Sequence, residues 1–293
     1  MNIENLVFSG GGVLGSAYIG ALQVLDSKNI LFNVKRFAGT SVGAIIAGAL
    51  VCGASIDFIS KIFNETNFND LKDYSRSRPG SFIRFLRKFG YHKGKKLVSW
   101  YEKIIHSLTG NKKITLFDIF KIYNKEIFIV ATNVDKRQAE VLSHISYPNL
   151  ELVQAVRMSA SYPFFFESVK YNNDIWIDGG LLNNFPIRIF DGQSSDHMKT
   201  LGLVLISSSN LEEIKCKKDH PTSDLIRFNL AIIEMALNSL FKTHFDPVDR
   251  DRTIMIDVGN LSSMEFNISN IDKAFLIEQG RIASQSFLNT KLY

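Results

Sequence analysis

The sequence predicts an α/β fold in which helices cover a central, mostly parallel sheet. Three observations carry this expectation. Short apolar runs alternate with longer segments of helical periodicity from the first residues onward. The run Ile127-Phe128-Ile129-Val130-Ala131-Thr132 is rich in β-branched residues and lacks polar alternation, as a buried parallel strand does. Glycine clusters sit where a strand gives way to a helix, at Gly10-Gly11-Gly12 and around Gly39 and Gly43.

The elements follow in order. Residues 3–8 read as the first strand and 10–15 as a glycine loop. Residues 17–26 form a helix, with Ala17, Ala21, Leu22, Val24 and Leu25 at helical spacing. Phe37 and Ala38 lead into a second turn, and 42–52 is an apolar helix. Residues 57–69 and 95–108 are amphipathic helices, the second with Leu97, Trp100, Tyr101, Ile104 and Ile105 on one face. Thr115 to Asp118 opens a further helix, and 150–159 is helical. A short strand at 175–177 runs into Asp178-Gly179-Gly180. A strand at 201–207, a long apolar helix at 224–241, a strand at 254–258 and a helix at 271–288 complete the chain. There is no internal repeat and no low-complexity linker. Residues 1–293 therefore read as a single domain, with its weakest seams at 75–80 and 191–199.

Composition excludes several classes. The 293 residues are 45% hydrophobic and 22% charged, as in a globular protein. Cys52 and Cys216 make neither a disulfide framework nor a metal-spaced cluster, so no metal or cofactor is expected. Two lone thiols suit a reducing, intracellular (cytoplasmic) compartment. The N-terminus has no basic stretch followed by an apolar one, so no signal peptide is expected. Residues 37–56 carry no charge, but glycines and serines interrupt them, which fits a buried strand-turn-helix better than a membrane span.

The net charge of +5 is uneven. Arg76, Arg78, Arg84, Arg87, Lys88, Lys93, Lys95 and Lys96 fall between residues 74 and 101 with no acid among them. A local cationic patch suggests an anionic surface as partner. Within it, Phe82, Phe85 and Phe89 interleave with Arg84, Arg87 and Lys88, a combination suited to peripheral contact with anionic lipid. A cap helix packing its phenylalanines on the core is the alternative. No nucleic-acid module is recognisable.

Chemistry centres on Gly39-Thr40-Ser41-Val42-Gly43. This G-x-S-x-G pattern between strand and helix is a nucleophile elbow, which pushes Ser41 out at the tip of a crowded turn. The loop Gly10-Gly11-Gly12-Val13-Leu14-Gly15 also fits a dinucleotide fingerprint, but no acid follows at the end of the second strand to hold a ribose. It suits an oxyanion hole instead, with N–H groups of Gly10, Gly11 and Gly12 exposed to a developing negative oxygen. A Ser-acid-His triad needs a histidine, and His92, His106, His144, His197, His220 and His244 all lack a diagnostic context. Too little chain precedes Ser41 for an α/β-hydrolase sheet. Asp178, at the end of a short apolar strand and followed by Gly179 and Gly180, is the better base.

These blocks together resemble the patatin-like phospholipase family. Residues 10–15 resemble its glycine-rich loop and 39–43 its elbow. Ser159-Ala160-Ser161-Tyr162-Pro163-Phe164-Phe165-Phe166 resembles its small-residue and proline block, and Asp178-Gly179-Gly180-Leu181-Leu182-Asn183-Asn184-Phe185-Pro186 its D-G-G block. The resemblance covers about residues 3–190. It implies a three-layer αβα fold and a Ser41–Asp178 dyad working without histidine on fatty-acyl esters of phospholipids. Gly39, Gly43, Gly179 and Gly180 support the dyad. One position departs: the family carries Arg or Lys before the last glycine of the first loop, where this chain has Leu14. A low-turnover lipid-surface or partner-binding module, or a soluble esterase or thioesterase on the same dyad, are the alternative readings. The sequence does not fix the oligomeric state.

Overall fold

The computed structural model describes residues 2–73, 89–192, 197–207 and 246–291. Its centre is an eight-stranded sheet ordered β10-β9-β1-β2-β4-β8-β7, with β5 also pairing β4. Strands β1 (Asn5–Phe8), β2 (Arg36–Thr40), β4 (Glu126–Asn133), β9 (Thr200–Ile206) and β10 (Thr253–Asp257) are parallel. Strands β5 (Gln138–Leu142), β7 (Val169–Tyr171) and β8 (Asp174–Asp178) join antiparallel. Two further short strands, β3 (Gly90–His92) and β6 (Phe164–Phe166), pair with each other outside this sheet. Helices flank the sheet: α1 (Ala17–Ser27), α2 (Val42–Val51), α3 (Ile56–Glu65), α4 (Lys95–Thr109), α5 (Leu116–Tyr123), α6 (Leu152–Ser159), α7 (Gly180–Asn183) and α8 (Asn270–Thr290). This is the mostly parallel α/β architecture that the alternating runs predict.

The register of β4 positions the site. Ile129 and Val130 pair with β2 and β5 at once, and Ala131 and Asn133 with β5 and β8 at once. A strand has two edges, so β2 and β8 share one edge of β4. They run toward each other along it. Thr40 at the end of β2 faces Val130, and Asp178 at the end of β8 faces Ala131.

The main core joins alternate residues of the strands to α1, α2, α4 and α6. Every residue of α2 is buried, which explains its unbroken apolar sequence. A smaller cluster on the other face packs Val7 and Ala38 against Ile187 and Phe190. Buried Lys273 of α8 donates from Nζ to the carbonyls of Phe63 (3.0 Å), Asn64 (3.3 Å) and Thr66 (2.6 Å), capping the C-terminal end of α3. That helix ends at Glu65, earlier than its sequence pattern suggests, because Thr66 turns extended.

Short strands β3, β5, β6 and β7 had no sequence expectation. Each is three to five residues long and so carries too little periodicity to read. The expected helix at 224–241 lies outside the described residues. Among the described residues, no helix is long and apolar enough to cross a membrane. Cys52 is buried, and burial pushes its thiol up to about 12, which disfavours the reactive thiolate; Cys216 lies outside the described residues.

Candidate active site

Ser41 is the single residue between β2 and α2. Its φ of 54° and ψ of −120° fall in a region that L side chains rarely adopt. Two hydrogen bonds hold it there. Ser41 N–H donates to Ser159 Oγ (2.8 Å), and Ser159 Oγ–H donates to the Val130 carbonyl (2.6 Å). The turn is crowded: a Cβ on Gly43 would lie 2.6 Å from the Ser9 carbonyl oxygen, and one on Gly39 2.4 Å from the Gly43 carbonyl carbon. The first turn of α2 begins at Val42, so its unpaired N–H groups and dipole point at the Ser41 end.

Asp178 is 4% exposed. Its N–H donates to the Ser161 carbonyl (2.9 Å) and its carbonyl accepts from Thr132 Oγ1 (2.9 Å), which fixes the strand end. Oδ1 accepts from Gly180 N–H (2.7 Å), while Oδ2 is buried and, among the described residues, has no hydrogen-bond partner. Burial pushes the carboxyl pKa up to about 7; the Gly180 N–H and then the nearby Ser41 hydroxyl offset part of that rise. Gly179 is pressed onto β4, where a Cβ would lie 2.3 Å from the Val130 oxygen.

The glycine loop closes the third side. The expectation that all three glycines offer donors needs correction at Gly10, whose N–H donates to the Asn184 carbonyl (3.0 Å). Among the described residues no hydrogen bond engages the N–H groups of Gly11 or Gly12, where a 3-10 turn (Gly12–Ser16) begins. That turn is pinned from behind. Val13 N–H donates to the Ser263 carbonyl (3.1 Å), and Gly12, at φ 55°, approaches the same oxygen so closely that a Cβ would be 2.1 Å away. Tyr18 OH, fully buried, donates to the Ser9 carbonyl (2.7 Å) and anchors the start of the loop. Leu14 is only 6% exposed and packs in the main core, so the position occupied by a cation elsewhere is an apolar packing site here.

Other candidate residues lie apart. His92 is buried, 3.0 Å from the Asp73 carbonyl and packed on Phe165. His144 stacks on Phe120, and His197 approaches Asp191. His106 sits in the last turn of α4. None of these four has a hydrogen bond or ion pair with Ser41 or Asp178; His220 and His244 lie outside the described residues. Phe89 is exposed, but Phe82, Arg84, Phe85, Arg87 and Lys88 lie outside the described residues. Asp191, His197 and Asp249 bring possible ligand atoms within 4.8 Å of one another. Arg252 already bonds both carboxylates and Arg188 bonds Asp249, so cationic side chains serve that cluster.

Sequence reasoning placed Ser159, Asn183 and Asn184 in blocks but gave them no task. Besides the Gly10–Asn184 link, the Thr40 hydroxyl donates to the Asn183 carbonyl (3.0 Å). The segment after Asp178 thus ties the elbow to the glycine loop. The signal was the pair of polar residues directly after an apolar Leu-Leu, which a four-residue helix then turns inward at one position.

Fold and site together define an α/β protein with a serine elbow, a buried carboxyl and a glycine loop meeting at the strand ends. Residues 6–191 match the patatin-like phospholipase family, and the chain belongs to it. It is 33% identical over 280 residues (95% of this chain, 91% of the relative) to an uncharacterized protein of Acanthamoeba polyphaga mimivirus. It is 31% identical over 193 residues (64% of this chain, 62% of the relative) to a protein of Invertebrate iridescent virus 6 described as a "Probable lipid hydrolase". The crystal structure of VipD from Legionella pneumophila matches 99% of this chain and 67% of its own, with a TM-score of 0.62 and 18% identity, a likeness of fold. The family and this relative support a lipid hydrolase activity.

Proposed function

We propose that this protein is a lipid acyl hydrolase that cleaves fatty-acyl esters of phospholipids with Ser41 as nucleophile and Asp178 as base. The observation that carries the reading is the buried, unpartnered Oδ2 of Asp178 beside a serine held in a strained elbow. An ordinary aspartate titrates near ~4 and is a weak base for a hydroxyl. One raised to about 7 is matched to proton transfer near neutral pH.

On this reading Ser41 Oγ attacks the ester carbonyl and its proton passes to Asp178. The N–H groups of Gly11 and Gly12 receive the negative oxygen of the tetrahedral intermediate. The proton then goes to the departing alcohol, and water cleaves the acyl-enzyme with Asp178 again as base. The cationic segment that includes Phe89 would hold the protein at an anionic membrane during this work.

The test is product analysis on mixed phospholipid liposomes by mass spectrometry, with a fluorophosphonate probe run in parallel. Fatty acid and lysophospholipid released by wild type, with probe on Ser41, is the expected result. An unlabelled, inactive protein would instead favour a lipid-surface binding module. Release only from short water-soluble esters would favour a soluble esterase or thioesterase.

A further inference from the structure

The carboxamide oxygen of Asn184 lies against two glycines of the site, Gly10 on the Ser41 side and Gly180 on the Asp178 side. A Cβ built on Gly10 would lie 2.4 Å from Asn184 Oδ1 and 3.4 Å from Ser41 Cβ. A Cβ built on Gly180 would lie 2.9 Å from Asn184 Oδ1 and 3.0 Å from Asp178 Oδ1. The same oxygen is therefore near Ser41 through one glycine and near the Asp178 carboxyl through the other, and the absence of a Cβ at both glycines leaves it room there. The Asn184 main chain is fixed by the Gly10 N–H, so the side chain is not needed to hold that contact. Among the described residues no hydrogen bond engages the carboxamide, although it offers two donors and an acceptor.

Asp178 must accept a proton from whatever attacks the acyl-enzyme. A water molecule has a second O–H bond to place, and an alcohol does not. We infer that Asn184 is a specificity-determining residue that makes water the acyl acceptor: Asn184 Oδ1 accepts the second O–H of the attacking water. The inference rests on the Ser41–Asp178 reading. In the step itself, one O–H proton of the water moves to the Asp178 carboxylate while the oxygen bonds to the acyl carbon. The acyl C–O bond to Ser41 then breaks, Ser41 Oγ takes the proton back from Asp178, and the fatty acid leaves. The second water proton stays on the attacking oxygen throughout. An alcohol would bring a carbon to Asn184 Oδ1 in place of that proton and lose the contact.

The test uses the full chain on a p-nitrophenyl ester in water with methanol as a competing acceptor, and reads the ratio of free acid to methyl ester. Both products come from one acyl-enzyme, so a general loss of active protein cancels from the ratio. Asn184→Leu is expected to shift the ratio toward methyl ester by roughly 10-fold, the size of one hydrogen bond. Asn184→Asp keeps an acceptor oxygen and is expected to stay within about 3-fold of wild type. An unchanged ratio in Asn184→Leu overturns the inference, as does an equal shift in both variants. Acid and methyl ester formed undiminished by Ser41→Ala would instead overturn the dyad itself.

Discussion

Ser41 and Asp178 lie at the facing ends of two strands that converge on one edge of β4, where Thr40 pairs with Val130 and Asp178 pairs with Ala131. One peptide step of a third strand thus separates the partners of Thr40, which leads into Ser41, and of Asp178. The Val130 carbonyl serves both: it accepts from Ser159, which holds the elbow, and it forms the floor on which Gly179 rests.

On the proposed mechanism, removing either Ser41 or Asp178 should end turnover while leaving the fold. Ser41→Ala and Asp178→Asn are each expected to lower kcat by roughly 10³-fold or more on phospholipid liposomes. Circular dichroism and thermal melting check that both remain folded. Retention of more than about a tenth of wild-type activity by either would exclude its assigned role.

The pH profile follows from Asp178. A base must be ionised, so kcat/KM should rise with pH and level off above about 7. A profile that is flat from about pH 5 to 8.5 would contradict that assignment. Stability moves the other way. The folded carboxyl binds its proton more tightly than the unfolded one at 3.8, so its contribution is present at low pH and lost as pH rises through about 7. Asp178→Asn has no such loss. Relative to wild type it should therefore gain stability between pH 4 and 8, by a few kcal/mol (~4 at most), read from urea unfolding at each pH.

Ser159 is expected to act on geometry. Ser159→Ala leaves the Ser41 N–H and the Val130 carbonyl without their shared partner, at a stability cost of about 1–3 kcal/mol. The freed elbow should also lower kcat by about 10-fold or more with little change in KM, because the strained φ of Ser41 is no longer fixed. Steady-state kinetics of a variant shown to be folded separates the two effects.

Lys273 offers the opposite dissociation. Lys273→Met removes three hydrogen bonds that cap α3 but keeps the apolar stem that packs there. Thermal unfolding should show a loss of about 1–3 kcal/mol, while probe labelling of Ser41 stays at the wild-type rate. A fall in labelling without a fall in stability would mean that α3 reaches the site.

Much of this was legible in the sequence because it rests on local rules. The elbow declares itself through Gly39 and Gly43, and β4 through its β-branched run. The strand end at Asp178 is legible because a short apolar run stops there. What stayed hidden depends on pairs far apart in the chain. Nothing in the motif around Gly10 says that its N–H is taken by Asn184, since that contact exists only once β1 and α7 are brought together. A carboxyl that serves as a base is expected to be buried enough to raise its proton affinity, and burial does raise that of Asp178, to about 7. Leu14 looked like a lost cation in the motif; in the fold its side chain lies among core residues, where an aliphatic group packs and a charge would have to be paired.

The clamp on the glycine loop comes from Ser263, well beyond residues 6–191 that match the family. During synthesis Ser41 and Asp178 leave the ribosome long before the carbonyl that receives the Val13 N–H. An emerging chain would therefore carry both side chains with the glycine loop opposite them still unclamped. On the proposed mechanism, chemistry at Ser41 would wait until the segment that carries Ser263 has docked.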